Sequence, residues 1–142
     1  MQQNAGVKKR SRLTFVIQSE VLAADEISER MNLQPTNVLE NGASASRRNP
    51  DAARRRHTTW NLVSDLPDDA APAAHLEGLL PLLEPRRSVL RQIQETGAAA
   101  FWSCFVTATP TGNMLRFEPD LLSRLSQVGG ALEFDIYDSD DD

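Results

Sequence analysis

Apolar residues alternate with polar or β-branched ones over 12–18, where Leu13, Phe15 and Ile17 share one side and Thr14, Val16 and Gln18 the other, which predicts a strand. The period then lengthens. Ile27 and Met31 lie one helical turn apart behind Asp25 and Glu26, acids that suit the positive end of a helix. Asn32 can take a left-handed cap and Pro35 bars continuation, so the first helix is predicted over 23–32. Residues 58–63 return to β composition, with Trp60 and Leu62 on one side. A helix is predicted to open at Pro72 and to bury Leu76, Leu79, Leu80 and Leu83; Pro81 should kink or split it, and Pro85 should end it. Val89, Leu90 and Ile93 predict a further short helix, with Gly97 as its C-terminal cap. Residues 101–106 are apolar on both alternate sides, as in a central strand covered on both faces. Pro119 suits a first helical turn, Leu121, Leu122, Leu125 and Val128 trace one face, and Gly129-Gly130 ends the helix. A half-exposed last strand follows, in which Leu132, Phe134 and Ile136 alternate with Glu133, Asp135 and Tyr137.

The order strand, helix, strand, helical insertion, strand, helix, strand reads as two β-α-β halves. The predicted class is α+β: a ferredoxin-like split β-α-β sandwich with a four-stranded antiparallel sheet and a helical insertion between strands two and three. Strands one and three would pair centrally, with two and four at the edges. The competing arrangement is an α+β domain with the same elements in another strand order. The expected organisation is a flexible basic N-terminus over 1–11, one α+β domain over 12–137, and an acidic tail over 138–142. Within the domain, 38–57 has no apolar period and reads as a long arginine-rich loop.

Length and composition fit one globular core: 142 residues, 40% hydrophobic and 25% charged, exclude wholesale disorder and a fibrous repeat. Cys104 is the single cysteine, so no internal disulfide is expected, and any zinc site would have only two histidines to complete it. No apolar run approaches the roughly 20 residues that cross a bilayer, and 1–12 lacks a signal peptide's apolar stretch. No membrane association and a cytoplasmic location are expected. The net charge of −5 is unevenly placed: Asp138, Asp140, Asp141 and Asp142 account for all but one unit of it. Basic residues gather at Lys8, Lys9, Arg10 and Arg12, and at Arg47, Arg48, Arg54, Arg55 and Arg56.

The stretch 27–36, Ile-Ser-Glu-Arg-Met-Asn-Leu-Gln-Pro-Thr, resembles the helix and Leu-x-Pro-Thr signature of domain-of-unknown-function family 4279, a mainly bacterial group. Gly42, Trp60, the leucines of 76–83 and the C-terminal helix, glycine turn and Asp-hydrophobic-Tyr strand of 121–137 resemble further features of that family in the same order. Asn32 stands where the family often has glycine, and 43–57 is richer in arginine. The resemblance spans 12–137 and implies a fold but no mechanism.

Arginine forks bind phosphate or carboxylate bidentately, so Arg47, Arg48, Arg54, Arg55 and Arg56, with His57 and Trp60, form the candidate binding set. Trp60 as a stacking platform competes with Trp60 as a core residue. No catalytic constellation, metal site or cofactor motif is evident: Cys104 lies within an apolar strand, His57 and His75 lack ligand companions, and Asp65, Asp68 and Asp69 precede a helix start. The expected function is a non-catalytic interaction module of the accessory or immunity type, meeting a protein partner through 41–57 and the adjoining sheet edge. Its rival is a nucleic-acid or nucleotide-phosphate binder using the same arginines. Oligomeric state is not legible.

Overall fold

A computed structural model describes residues 10–40, 57–108 and 113–138. The elements run β1 (Ser11–Ser19), α1 (Ala24–Met31), β2 (Asn37–Leu39), β3 (Thr58–Val63), α2 (Pro72–Leu83), a 3-10 turn (Glu84–Arg86), α3 (Arg87–Glu95), β4 (Ala99–Ala108), α4 (Pro119–Val128) and β5 (Ala131–Asp138). They form an α+β fold with one five-stranded sheet in the order β2-β3-β1-β4-β5.

The first four strands in that order are mutually antiparallel, and β5 lies parallel to β4. The expected four-stranded, wholly antiparallel sheet is therefore corrected in two respects. The chain adds β2, which overlaps the start of the segment read as loop, and β5 lies parallel beside β4. The reason for the second is the crossover: α4 carries the chain back to the end of the sheet where β4 began, so β5 must run the same way. Strands one and three of the sequence reading do pair centrally, as β1 and β4, with Phe15 opposite Trp102 and Leu13 opposite Cys104.

Every helix packs on one face of the sheet. Leu13, Phe15 and Ile17 of β1, Trp60 and Leu62 of β3, and Ala100, Trp102, Cys104 and Val106 of β4 bury against Ile27, Met31, Leu76, Leu80, Leu83, Leu90, Ile93, Leu121 and Leu125. Phe15 meets Trp102 edge-on, with ring centroids 4.8 Å apart. Because the core is one-sided, the expectation that 101–106 is covered on both faces fails: Phe105 is 39% exposed.

Local chemistry places the joints. Asn32 adopts the left-handed conformation at φ 53° and ψ 44°, which suits both asparagine and the glycine common in the family resembled above. Arg86 then ties down the end of α1. Its Nε donates to the Met31 carbonyl at 2.5 Å and its Nη2 to that of Asn32 at 3.2 Å, while Nη1 donates to Leu82 at 2.7 Å. Thr36 splices the following strand onto β3: its N–H donates to the Asn61 carbonyl and its Oγ1 accepts from the Val63 N–H at 2.9 Å. Asn61 Nδ2 donates to Asn37 Oδ1 at 2.7 Å. These bonds make a strand of 37–39 despite its poor apolar pattern.

Pro81 neither splits nor ends α2, which is continuous to Leu83. It occupies the last turn, so only the bond to the Glu77 carbonyl is lost and two helical residues remain beyond it. Arg124 of α4 grips Glu84 with two bonds, Nε to Oε2 at 3.0 Å and Nη2 to Oε1 at 2.7 Å, holding Glu84 below the usual carboxylate range. At the N-terminal boundary the ladder starts one residue earlier than expected, with Ser11 buried and the Arg10 N–H donating to Thr107 Oγ1 at 2.8 Å.

Candidate functional site

The candidate arginines Arg47, Arg48, Arg54, Arg55 and Arg56 lie outside the described residues. His57 is half-buried just before β3. Trp60, offered as a stacking platform, is instead sealed in the core at 0% exposure, with its Nε1–H donated to Ser28 Oγ at 2.9 Å. Inward phase on β3 is the reason: Trp60 lies opposite Ile17 on the helix-bearing face.

The opposite face of the sheet carries no helix among the described residues, and the register fixes what it presents. Across the strands run Val63, Thr14, Ser103 and Glu133; Asn61, Val16, Phe101 and Ala131; and Arg12, Phe105 and Asp135. Thr107 and Tyr137 close the series. Phe105 and Tyr137 are neighbours on adjacent strands, with ring centroids 5.0 Å apart, and both are largely open to solvent at 39% and 49%. The Tyr137 hydroxyl donates to Asp135 Oδ2 at 3.0 Å, and this bond to the carboxylate raises the phenol's pKa. The Asp-hydrophobic-Tyr signature thus builds an exposed aromatic and acidic cluster. Sequence reading missed it because Phe101 and Phe105 look like core. The usable signal lay in their partners, since Arg12, Thr14, Gln18 and Asn61 share their phase and are polar.

Two buried groups complete the inventory. Cys104 is enclosed at 1% exposure, and burial pushes its thiol up to about 11, so it is neutral and unreactive at physiological pH. His75, also 1% exposed, bonds Ser64 Oγ through Nδ1 at 2.7 Å, and among the described residues its Nε2 has no partner in hydrogen-bonding geometry. Burial holds its pKa below 6.5, outweighing the Ser11 backbone and Asp68, which favour the charged form. Ser64 Oγ also accepts from the Leu66 N–H at 3.3 Å.

That environment sets a pH dependence. Above 6.5 the imidazole is neutral whether the chain is folded or unfolded. Below 6.5 the unfolded chain takes up a proton that the folded one refuses, so stability falls as pH drops through 6.5 toward the depressed folded value. Urea midpoints measured at pH 7.5 and pH 5.5 should therefore differ for the wild type. In His75→Leu the difference should shrink markedly; an unchanged slope would assign it elsewhere.

A cavity of about 230 Å³ opens at the end of the sheet, between the start of α2 and 113–115. Its walls are largely apolar, with Val106, Ile136, Met114, Leu115 and Pro72 prominent, and its charged members Arg10 and Asp69 are of opposite sign. Among the described residues, no three His, Cys, Asp or Glu side chains gather as a metal site would need, and no helix is long and apolar enough to cross a membrane.

A family model described as a domain of unknown function, DUF4279, matches residues 9–139. No curated protein and no solved structure matches the chain.

Proposed function

The chain belongs to the DUF4279 family, and on that footing we propose that it is a non-catalytic protein-interaction module, of the accessory or immunity type, that meets its partner through the helix-free side of the sheet. The observation that carries this reading is the Phe105–Tyr137 pair, two large rings side by side on a face that no helix covers among the described residues. Exposed aromatic surface gains roughly 25 cal/mol for each Å² withdrawn from water, and tyrosine and phenylalanine are enriched at protein interfaces. Arg12 on one side and Asp135 on the other supply a polar rim. The lone buried thiol suits a reducing compartment, in keeping with a cytoplasmic location.

We also read the elements from β1 to β4 as a ferredoxin-like unit to which α4 and β5 are appended. The support is the strand order β2-β3-β1-β4, all antiparallel, with α1 joining β1 to β2 around the intervening β3. On this reading the β5 edge is an addition to a self-sufficient sandwich.

A photo-crosslinking residue placed at Phe105, irradiated in cells, should give a discrete heterologous protein adduct. The same residue at Gln92, exposed on α3, should not. Indistinguishable adduct patterns from the two positions, or none from Phe105, would remove the helix-free face from consideration.

A further inference from the structure

We propose that the outer edge of β5 takes up an extended segment of a partner protein as a sixth strand, and that the segment it fits alternates basic with apolar side chains. The proposal rests on the interaction reading above and adds the partner's chemistry to it. Among the described residues β5 pairs with β4 alone, so along 131–137 alternate backbone N–H and C=O groups point outward without a strand to receive them. The opposite edge, β2, offers only three residues.

The phase of β5 gives the two sides of an added strand different surroundings. Glu133 and Asp135 project onto the helix-free face, and both are exposed. Neither belongs to an ion pair among the described residues; Asp135 accepts only the Tyr137 hydroxyl. Leu132, Phe134 and Ile136 project the other way, beside the helices, and Ile136 is 58% exposed at the rim of the apolar cavity. A neighbouring strand therefore finds acids along one side and hydrocarbon along the other. Cross-strand pairs of opposite charge and of apolar side chains are what stabilise such an addition. A second copy does not fit. Antiparallel pairing of β5 with its own duplicate, centred on Phe134, sets Glu133 of each copy against Asp135 of the other, and like charges facing each other across strands are unfavourable. The two acids thus disfavour self-pairing in that register and favour a basic segment.

The test is fluorescence anisotropy of the full chain with a labelled eight-residue peptide alternating lysine and valine. A block peptide of the same composition and a glutamate–valine alternating peptide serve as comparisons. The lysine–valine peptide should bind more tightly than the block peptide and should slow hydrogen exchange within 131–137. The double variant E133K/D135K, altered only at exposed positions and shown folded by its circular dichroism and melting, should bind that peptide about tenfold or more weakly. It should gain affinity for the glutamate–valine peptide. Equal binding of alternating and block peptides, affinity indifferent to E133K/D135K, or no binding at all would each overturn strand addition. A Phe105 adduct formed in cells alongside a failed peptide experiment would leave the interaction reading standing without this mode. Peptide binding without the adduct would do the reverse.

Discussion

Trp60→Ala is expected to lower the folding free energy by about 3–5 kcal/mol, the largest loss of any single truncation on the β3 side of the core. The indole is fully enclosed, lies opposite Ile17 of β1 and Val38 of β2, and reaches α1 through the Ser28 hydroxyl. Truncation empties a space that three strands and a helix enclose, and close-packed backbones collapse into such a space only in part. Trp60→Phe retains most of the apolar volume and drops the N–H, so it should cost about 1–2 kcal/mol. Ser28→Ala leaves the indole N–H buried without an acceptor and should cost about 1–3 kcal/mol by the same reasoning. Urea denaturation of the three variants, with the Trp60→Phe/Ser28→Ala double variant to isolate the shared bond, measures each amount. A cost below about 1 kcal/mol for Trp60→Ala would mean the ring is not part of the packed core, and the older idea of a ligand platform would return.

Much of this architecture was legible along the chain. The alternation at β1 and β5, the apolar run at β4 and the leucine spacing at α4 announce those elements, and α1 differs from its expected span by a single residue at each end. The left-handed cap at Asn32 followed from a residue type that tolerates positive φ. What escaped was information that sits on another part of the chain. Nothing within Asn37–Leu39 looks like a strand, because what makes it one is pairing with 59–61 of β3, twenty or more positions away. The place of β5 beside β4 depends on a crossover by α4, which local pattern cannot express. The helix-free face was misjudged for the opposite reason. Phe101 and Phe105 satisfy every local criterion for burial, and only the polar phase of Thr14, Gln18 and Asn61 on other strands says that their side of the sheet carries no helix among the described residues. For the site, the arginines at 47, 48, 54, 55 and 56 fall outside the described residues, and attention moves from that loop to the β5 edge.

Gly130→Ala should cost about 2–4 kcal/mol, and the contact responsible can be named. Gly130 has φ 91°, a conformation that L side chains rarely adopt, and a Cβ built there would stand 2.8 Å from the Ala100 carbonyl oxygen. That oxygen cannot retreat, since Ala100 is held in the ladder opposite Ile17 in the middle of the sheet. Gly97 supplies the control: it has φ 101° but nothing within 4 Å of its virtual Cβ, so Gly97→Ala should show the conformational cost without the clash, about 1–2 kcal/mol. The difference between the two substitutions in urea denaturation isolates the steric contact. A shift of the turn carries a second penalty, because the adjoining Gly129 carbonyl accepts the Trp102 Nε1–H at 3.2 Å. The loosening should appear first as faster hydrogen exchange in the opening residues of β5, which leave this turn directly into the edge proposed to receive a partner strand. Gly130→Ala should therefore weaken binding of the lysine–valine peptide even where the rest of the chain remains folded, whereas Gly97→Ala, in the turn between α3 and β4, should leave that affinity untouched. Equal stability losses in the two variants would show that the turn yields without resistance and that β5 does not depend on the close approach of Gly130 to β4.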